Sequence, residues 1–321
     1  MTMTRPLLLA MLCSLAIPPA HCQKIEKYYD YQWHQTDAQH ARFYSLIERT
    51  DSGWHRRDYY LHSLTLRMEG LYEDSACKIP SGWFRYFHPT RYIESMGAYR
   101  NGKKQGLWLQ YYGDGALFDS TVFESGSPIG VRVSWYRSGY MCDSGNYNPD
   151  GSGVHIVWFD NGQPSYAGRY GPGFKKYGKW QYFYREGGLS DEEVYDLQGK
   201  LLRKSYFDEK GRPQTDTAND DREAAFPGGL KAWANYLSRA LYFPDQYKFM
   251  NGDEATVVVK AAITEDGRVM DAEVEVPFYP AFDKIALDVL KRSPNWIPAM
   301  NHHRKVKSYI RQPVIFRLPD Q

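Results

Sequence analysis

Short stretches of alternating apolar and polar residues, each bounded by glycine, dominate the middle of the chain. The leading glycines recur every 23 to 25 residues, and a second element of the form Gly-x-Tyr recurs between them. A fixed period in the twenties is typical of stacked structural repeats. The units begin at Gly82, Gly106, Gly130, Gly153 and Gly178. The pattern therefore predicts a repeat array, which we place over residues 59–213.

Each unit is predicted to form a strand, a turn and a second strand. Alternate side chains share one face of a strand, so a run such as Leu107–Tyr112 places aromatic rings on a sheet face. Asp114-Gly115 and Asn161-Gly162 are typical of hairpin turns, because glycine adopts a positive φ at no steric cost. One hairpin cannot bury its aromatic face, whereas stacked neighbours can, so we expect a β-hairpin meander or solenoid. The tryptophans expected in its core are Trp108, Trp135, Trp158 and Trp180.

A different pattern follows the repeats. Apolar residues at helical spacing predict helices over Gly228–Leu241 and Phe282–Leu290, and a proline follows each of them closely. Alternating residues predict three strands, with a turn between the first and the second. These strands span Ala255–Thr264, Val269–Val276 and Lys305–Leu318. The segment is therefore predicted to be a small α+β domain of order αββαβ.

The pattern divides the 321 residues into consecutive parts. Residues 1–22 are interpreted as a signal peptide and residues 23–58 as an N-terminal β cap for the array. Within the cap, Ala41–Arg49 fits either a strand or a short helix. Residues 59–213 form the repeats, residues 214–225 a polar linker, and residues 226–321 the C-terminal domain.

The N-terminus has the layout of an export signal. Arg5 precedes the apolar run Leu7–Ile17, and prolines and a small residue follow before Cys22. The run is far shorter than the roughly 20 residues that span a bilayer, so cleavage before Gln23 is expected. An uncleaved run that anchors the chain in the membrane is the alternative. The mature chain is expected in the periplasm or the cell envelope.

Charge and motif content exclude several functional classes. Lys+Arg 40 against Asp+Glu 38 gives a net charge of +2, without the basic excess that nucleic-acid binding needs. No pairing of a nucleophile with a base stands out, so an enzyme is not expected. No set of residues has the spacing of a metal or cofactor site. His302-His303 is expected in a solvated turn, because neighbouring residues of an extended chain point in opposite directions.

Two family resemblances can be traced to these motifs. The units, with a leading glycine, an aromatic pair, a turn glycine and a following Gly-x-Tyr, resemble MORN-type repeats from about Gly53 to Gly211. Residues 226–318 resemble the C-terminal domain of TonB-type energy transducers, in the form common to Bacteroidetes-like exported proteins. The motifs that carry this second resemblance are Phe226-Pro227-Gly228-Gly229, Leu241-Tyr242-Phe243-Pro244, Glu265-Asp266-Gly267-Arg268-Val269, Trp296-Ile297-Pro298 and Pro313-Val314-Ile315-Phe316.

The TonB resemblance implies a protein-binding domain outside the cytosol. In that family an extended segment of an outer-membrane receptor pairs with a sheet edge, which is binding by strand addition. The implied edge is the beginning of the last strand, where cationic side chains also guard against aggregation. Its residues are Lys305, Val306, Lys307, Ser308, Tyr309, Ile310 and Arg311. We therefore expect a protein partner, which a TonB-dependent receptor would fit, and a scaffold role for the array.

Two alternative functions are compatible with the same sequence. The chain could be an energy transducer for outer-membrane transport with an uncleaved anchor, although a β-array stands where such transducers have a proline-rich spacer. Alternatively, the aromatic array could bind an envelope glycan or lipid, with the C-terminal domain as a passive adaptor. In each case no nucleic acid is expected as a partner, and membrane contact is expected only through the partner or a retained signal.

Overall fold

The structure is a computed structural model that describes residues 23–215, 221–244, 246–247 and 254–317. The segment interpreted as a signal peptide lies outside these ranges. Within them, no helix combines the length and the apolar character needed to cross a membrane. The described residues form a long β-sheet and a small α+β domain. The domain packs along the row of strand ends and hairpin turns on one side of the sheet.

The long sheet is antiparallel and has 17 strands. They are β1 (Lys24–Tyr29), β2 (Gln35–Thr36), β3 (Phe43–Thr50), β4 (Gly53–Tyr60), β5 (Thr65–Tyr72), β6 (Pro80–Phe87), β7 (Ile93–Arg100), β8 (Lys103–Tyr111), β9 (Leu117–Glu124), β10 (Ser127–Trp135), β11 (Met141–Tyr147), β12 (Gly153–Trp158), β13 (Pro164–Gly171), β14 (Lys175–Phe183), β15 (Leu189–Tyr195), β16 (Leu201–Phe207) and β17 (Pro213–Gln214). From β3 to β16 each strand pairs with the next one in the sequence. β1 extends the sheet beyond β3, and the short β2 and β17 lie at its two ends.

This array is a meander, and it includes the segment expected to be a cap. Ala41–Arg49, which the sequence leaves between strand and helix, contributes to β3 because Phe43, Ser45 and Ile47 alternate into the buried face. The first strands therefore continue the same sheet as the repeats.

Glycines and aromatic rings meet across neighbouring strands at recurring places on one face of the array. A Cβ atom added at these glycines would lie 2.2 to 2.4 Å from a ring carbon. The pairs are Gly70 with Phe84, Gly97 with Trp108, and Gly168 with Trp180. Because only glycine leaves room for the ring, this contact explains why Gly-x-Tyr recurs in one strand and an aromatic residue in the next. Trp108 and Trp180 are buried, as expected, whereas Trp135 and Trp158 end their strands and are half-buried.

Tyrosine hydroxyls connect the hairpin turns along one edge of the array. A tyrosine that follows or ends one strand donates to a main-chain carbonyl of the next unit, 2.7 to 3.1 Å away. These bonds run from Tyr60 to Phe87, from Tyr112 to Trp135, from Tyr136 to Trp158 and from Tyr184 to Phe207. We call this the turn edge; its turns are residues 61–64, 88–92, 112–116, 136–140, 159–163 and 184–188.

The C-terminal domain contains two helices and two small sheets. Its elements are α1 (Gly229–Ala240), β18 (Ala255–Ile263), β19 (Val269–Val276), α2 (Pro280–Lys291), β20 (Ala299–Asn301), β21 (Arg304–Val306) and β22 (Ser308–Phe316). β18 lies between β19 and β22, and β20 pairs with β21 in a separate hairpin. The predicted order αββαβ is present, with the β20–β21 hairpin added before the last strand.

Both faces of β18 are buried. The helices cover one face, where Val257 and Phe282 belong to a common core. On the other face Val258 packs against Phe43 and Tyr60 of the array. This double burial accounts for the nearly continuous apolar sequence of the strand.

Part of the segment expected to be a linker pairs with the C-terminal domain. Arg222 forms a bridge with Met300, and Ala225 forms one with Ile297. Gln214, the first residue of that segment, instead belongs to the array, where it forms β17 together with Pro213. Residues 216–220, between these two parts, lie outside the described ranges.

Candidate functional site

The segment expected to form the binding edge is divided between two strands. Lys305 and Val306 lie in β21 and pair with β20, whereas Ser308–Arg311 begins β22 and pairs with β18. The two strands are separated at Lys307. The expected single strand from Lys305 is therefore wrong in this detail, because the chain completes a small hairpin before it enters the sheet. The edge of the three-stranded sheet begins at Ser308.

β22 is an edge strand. Among the described residues it pairs with β18 on one side and with no strand on the other. Pro313 lies within it. Proline has no N–H to donate, so within sheets it is confined to edges, strand starts and bulges. The position of Pro313 therefore agrees with an unpaired outer side.

The hydrogen-bonding direction along β22 follows from the neighbouring hairpin. Thr264 N–H donates to Arg268 O, toward β19, and backbone direction alternates along a strand. Val258, opposite Pro313, therefore also points toward β19 and away from β22. Pro313 consequently directs its nitrogen outward. The N–H groups that share this outward direction belong to Tyr309, Arg311 and Ile315.

The cations of the expected edge have partners on β19. Lys307 Nζ lies 3.2 Å from Asp271 Oδ2, and the Arg311 guanidinium pairs with Glu275. Lys305, in contrast, is exposed on the hairpin. Since two of the three cations are paired within the sheet, the outward main-chain groups are the main feature that this edge offers to an added strand.

The remaining residues of the segment alternate between core and surface. Ile310 packs against the helical core, and Val306 is half-buried. The Ser308 hydroxyl is buried and has no hydrogen-bond partner among the described residues. Tyr309 is 66% exposed, so its ring is available to a partner.

A cavity of about 170 Å³ lies beside Tyr309, between the C-terminal sheet and the turn edge. The array contributes the rings of Tyr112 and Phe118, whose centroids are 5.1 Å apart, and the domain contributes Lys260 and Glu273. Aromatic walls with a few charged groups are typical of a pocket that accepts a side chain. Both the array and the C-terminal domain therefore line this cavity.

Arg137, in turn 136–140, connects the array to β19. Its Nη2 lies 3.1 Å from Glu273 Oε2, and its Nε lies 3.3 Å from Asp271 Oδ1. The guanidinium lies 4.5 Å from the ring centroid of Tyr112 and also contacts Asp114 of the preceding turn. This cluster of charges fixes the sheet above the turn edge.

Arg304 inserts from β21 into the array. It is 4% exposed, and its Nη1 donates to Ser165 O at 2.7 Å, to Ser165 Oγ at 2.8 Å and to Phe183 O at 2.9 Å. Burial lowers the pKa of Arg304 to about 10, so the guanidinium stays charged at neutral pH. Arg304, the residue before the segment expected to form the edge, is therefore a buried anchor.

The Arg304 contact occurs at an interruption in the tyrosine series of the turn edge. By its position in the repeat, Phe183 O should accept from a tyrosine at position 159, but Phe159 has no hydroxyl. Arg304 supplies the donor instead, with its guanidinium carbon 5.6 Å from the Phe159 ring centroid. The C-terminal domain thus binds where the array leaves a carbonyl free.

The expectation that His302-His303 forms a solvated turn is wrong. The His302 ring stacks on Tyr182 with centroids 3.5 Å apart, and its Nε2 lies 3.2 Å from Glu193 Oε1. His303 meets the Tyr206 ring edge-on at 4.6 Å. The β20–β21 hairpin presses this turn onto the array, which the local sequence does not reveal.

Glu193 is the centre of the polar contacts around His302. Its carboxylate accepts from Lys176 Nζ at 3.0 Å and from the Tyr195 hydroxyl at 2.7 Å. Burial by itself would raise the pKa of Glu193, but the bonds from His302, Tyr195 and Lys176 outweigh it and hold the pKa well below its usual range. The ionised carboxylate therefore holds this end of the domain.

The opposite end of the domain rests on aromatic contacts. The Arg42 guanidinium lies 4.4 Å from the Phe278 ring centroid, and the His62 ring stacks on Tyr279 at 4.4 Å. Burial lowers the pKa of His62 to about 4, and the positive charge of Arg42 contributes. Asp283 lines the same cavity as Arg42 and His62, and burial raises its pKa to about 6.

The sequence pattern does not distinguish Arg304 or Arg137 from ordinary surface cations. Arg137 lies in a turn and Arg304 follows one, and their partners lie more than 100 residues away. The readable signal was Phe159, which has no side-chain polar atom, whereas the corresponding positions hold a tyrosine or, at His88, an imidazole that contacts Tyr111 O.

Comparison with known families supports the assignment of the C-terminal domain. Residues 239–318 match the family model described as Gram-negative bacterial TonB protein C-terminal. No curated protein matches the chain. The matched segment contains β18 to β22 and hence the whole edge described above. The chain therefore carries a TonB-type C-terminal domain, of a kind found in bacterial envelope proteins that interact with other proteins.

Proposed function

We propose that this protein acts in the cell envelope, where its C-terminal domain captures an extended segment of a protein partner along β22. The observation that carries the proposal is the unpaired outer side of β22 in a domain that matches the TonB family. Main-chain hydrogen bonds would supply affinity and alternate side chains selectivity. The periplasmic N-terminal segment of a TonB-dependent outer-membrane receptor is a partner of this kind.

The structure favours a particular register for this partner. Tyr309 and Arg311 direct N–H groups outward, whereas Pro313 offers none, so an added strand would pair mainly with Ser308–Gln312. A side chain of the partner next to Tyr309 would enter the cavity of about 170 Å³. An apolar or aromatic residue fits there, because rings form much of its wall.

The MORN-like array serves as a scaffold in this proposal. Arg137 and Arg304 fix the C-terminal sheet on the turn edge from different elements. The array therefore holds β22 in one orientation and contributes one wall of the side-chain cavity. No catalysis and no cofactor are involved.

The test compares two substitutions at one position in the full chain. Arg311→Ala and Arg311→Pro both remove the guanidinium, but only the proline removes the outward N–H. Synthetic peptides that span the N-terminal segments of the host's TonB-dependent receptors are labelled and titrated by fluorescence anisotropy. We expect Arg311→Pro to bind at least tenfold more weakly than Arg311→Ala, about 1.4 kcal/mol, the scale of one main-chain bond.

Melting curves by circular dichroism control for folding of both variants. The proposal is wrong if no receptor peptide binds the wild-type chain. It is also wrong if the proline and alanine variants bind the same peptide equally well.

A further inference from the structure

Two units in the middle of the array lack the phenyl or indole ring that other units carry at their third position. The rings at that position are Phe84, Trp108 and Trp180. Arg132 and His155 replace them in the units that begin at residues 130 and 153. Arg132 and His155 lie close together in the sheet, since only β11 stands between their two strands. A polar site therefore interrupts an aromatic face.

The two replacements belong to one polar network. Arg132 Nε lies 3.0 Å from Asp119 Oδ2, and Arg132 Nη1 lies 3.3 Å from Asp143 Oδ2. Asp143 Oδ1 in turn lies 3.0 Å from His155 Nε2. Each carboxylate thus has a cationic or N–H partner within the network, which leaves little uncompensated charge to attract an ion.

One atom of this network is left unsatisfied. His155 is 8% exposed, and its Nδ1 has no hydrogen-bond partner among the described residues. In the tautomer whose proton lies on Nε2, toward Asp143, Nδ1 is a buried acceptor without a donor. Buried polar atoms in this condition are rare in folded proteins and require an explanation. A ligand hydroxyl would supply the missing donor.

A cavity of about 370 Å³ adjoins this network on the same face. Arg132 and His155 line it together with the rings of Tyr147, Tyr170 and Phe174. Its volume is typical of a small-molecule site, as is the combination of ring surfaces with a few placed polar groups. We call it the central cavity.

We infer that the central cavity binds a neutral saccharide. Sugar hydroxyls both donate and accept, so they can satisfy His155 Nδ1 and the half-buried guanidinium of Arg132, while sugar C–H faces pack on Tyr170 and Phe174. Arg132 is already paired with Asp119 and Asp143, so a phosphate or carboxylate ligand gains little from it. Since both carboxylates are already paired, an organic cation gains little. This site is independent of the edge at β22.

The experiment begins with the full chain on an array of immobilised oligosaccharides. The oligosaccharide that binds best is then measured by titration calorimetry, with inorganic phosphate and choline as the alternative probes. His155→Gln keeps a donor toward Asp143 but removes the Nδ1 acceptor, and Tyr170→Ala removes a ring. Arg169→Ala changes the opposite face of the same strand and is the matched control.

We expect His155→Gln and Tyr170→Ala to weaken saccharide binding at least tenfold, and Arg169→Ala to leave it unchanged. If Tyr170→Ala unfolds by circular dichroism, Gln110→Ala on the same cavity wall must show the loss instead. The inference is overturned if no oligosaccharide binds, if folded His155→Gln binds as well as wild type, or if phosphate or choline binds in its place.

Discussion

Replacing Arg304 with alanine should loosen the C-terminal domain from the array. The substitution leaves Phe183 O and Ser165 O without the donor that they have in the native chain. It also removes a buried guanidinium whose desolvation costs free energy in the folded chain. The two effects have opposite signs, so the net change depends on their magnitudes.

The magnitude can be worked out from the contacts. A hydrogen bond from a charged donor contributes about 1.5–3 kcal/mol, and Arg304 Nη1 makes three short contacts to the array. Desolvation of a buried ion offsets several kcal/mol of that gain. The carbonyls left unpaired add about 1–3 kcal/mol to the cost of the substitution. We therefore expect Arg304→Ala to lower the free energy of unfolding by about 3 kcal/mol.

A second substitution tests whether Arg304 really replaces a missing tyrosine. Phe159→Tyr in the Arg304→Ala chain would let the new hydroxyl donate to Phe183 O, as Tyr136 donates to Trp158 O at 2.7 Å. We expect this to restore about 1 kcal/mol. In the wild-type chain the same hydroxyl would compete with the guanidinium, so Phe159→Tyr should there cost about 1 kcal/mol. The effect of one substitution thus changes sign with the residue at position 304.

Urea unfolding of the four proteins gives the two differences and their coupling energy, which we expect to be about 2 kcal/mol. Hydrogen exchange of residues 299–306 reports whether the loss is local to the docked hairpin. Two results would refute the reasoning: Arg304→Ala within 0.5 kcal/mol of wild type, or a Phe159→Tyr effect of the same sign in both backgrounds.

Three further predictions concern other parts of the chain. Gly97→Ala should lower the free energy of unfolding, measured by urea titration, by at least about 2 kcal/mol, because its Cβ would lie 2.4 Å from the Trp108 ring. In the control Gly171→Ala the nearest atom lies 3.6 Å away, so the same free energy should change by less than about 0.5 kcal/mol. The pKa of His62 falls from 6.5 to about 4 on folding, so between those pH values only the unfolded chain takes up the proton and stability falls as pH falls. His62→Phe should remove about 1–2 kcal/mol of this loss between pH 7 and 4.5, since solvent screens the partly buried ring; equal pH dependence in both proteins would contradict this. Mass spectrometry of the exported protein should find a mature chain that begins at Gln23, and a retained N-terminus would favour the anchored alternative.

The repeat fold could be predicted because its cause is local in the sequence. A glycine in one strand and a ring in the next must alternate if the ring is to lie on the backbone, as Gly97 and Trp108 show. That requirement produces the period of 23 to 25 residues. Strand β19 could also be predicted from a local pattern, because its observed bounds Val269–Val276 coincide with the alternating segment that predicted it.

The docking of the domain could not be predicted, because its residues resemble surface residues in the sequence. Arg304 and His302 follow a proline-containing loop and have the polarity of a solvated turn, yet both are covered by the array. Their partners come from strands that lie more than 100 residues earlier. No pattern within a short window contains that information.

The edge that we propose for binding was chosen by family resemblance, and its details depend on tertiary structure. The sequence predicts one strand from Lys305, whereas the chain first forms β21 and then enters the sheet at Ser308. Pro313 was visible in the sequence as a residue that suits an edge strand. Its outward direction follows only from the pairing of β18 with both neighbours.

Departures from the repeat carry more functional information than the repeat itself. An array of equal units gains stability from each repeated contact, so a unit that lacks a ring or a hydroxyl loses that contribution. At Phe159 the loss is offset by Arg304, and the exception marks where the domain binds. At Arg132 and His155 a polar network stands in place of the phenyl or indole rings, and one nitrogen of that network has no hydrogen-bond partner among the described residues. If such departures exist because they bind something, Phe159 marks a site that Arg304 of the same chain occupies. The site at Arg132 and His155 then requires a ligand from outside the chain.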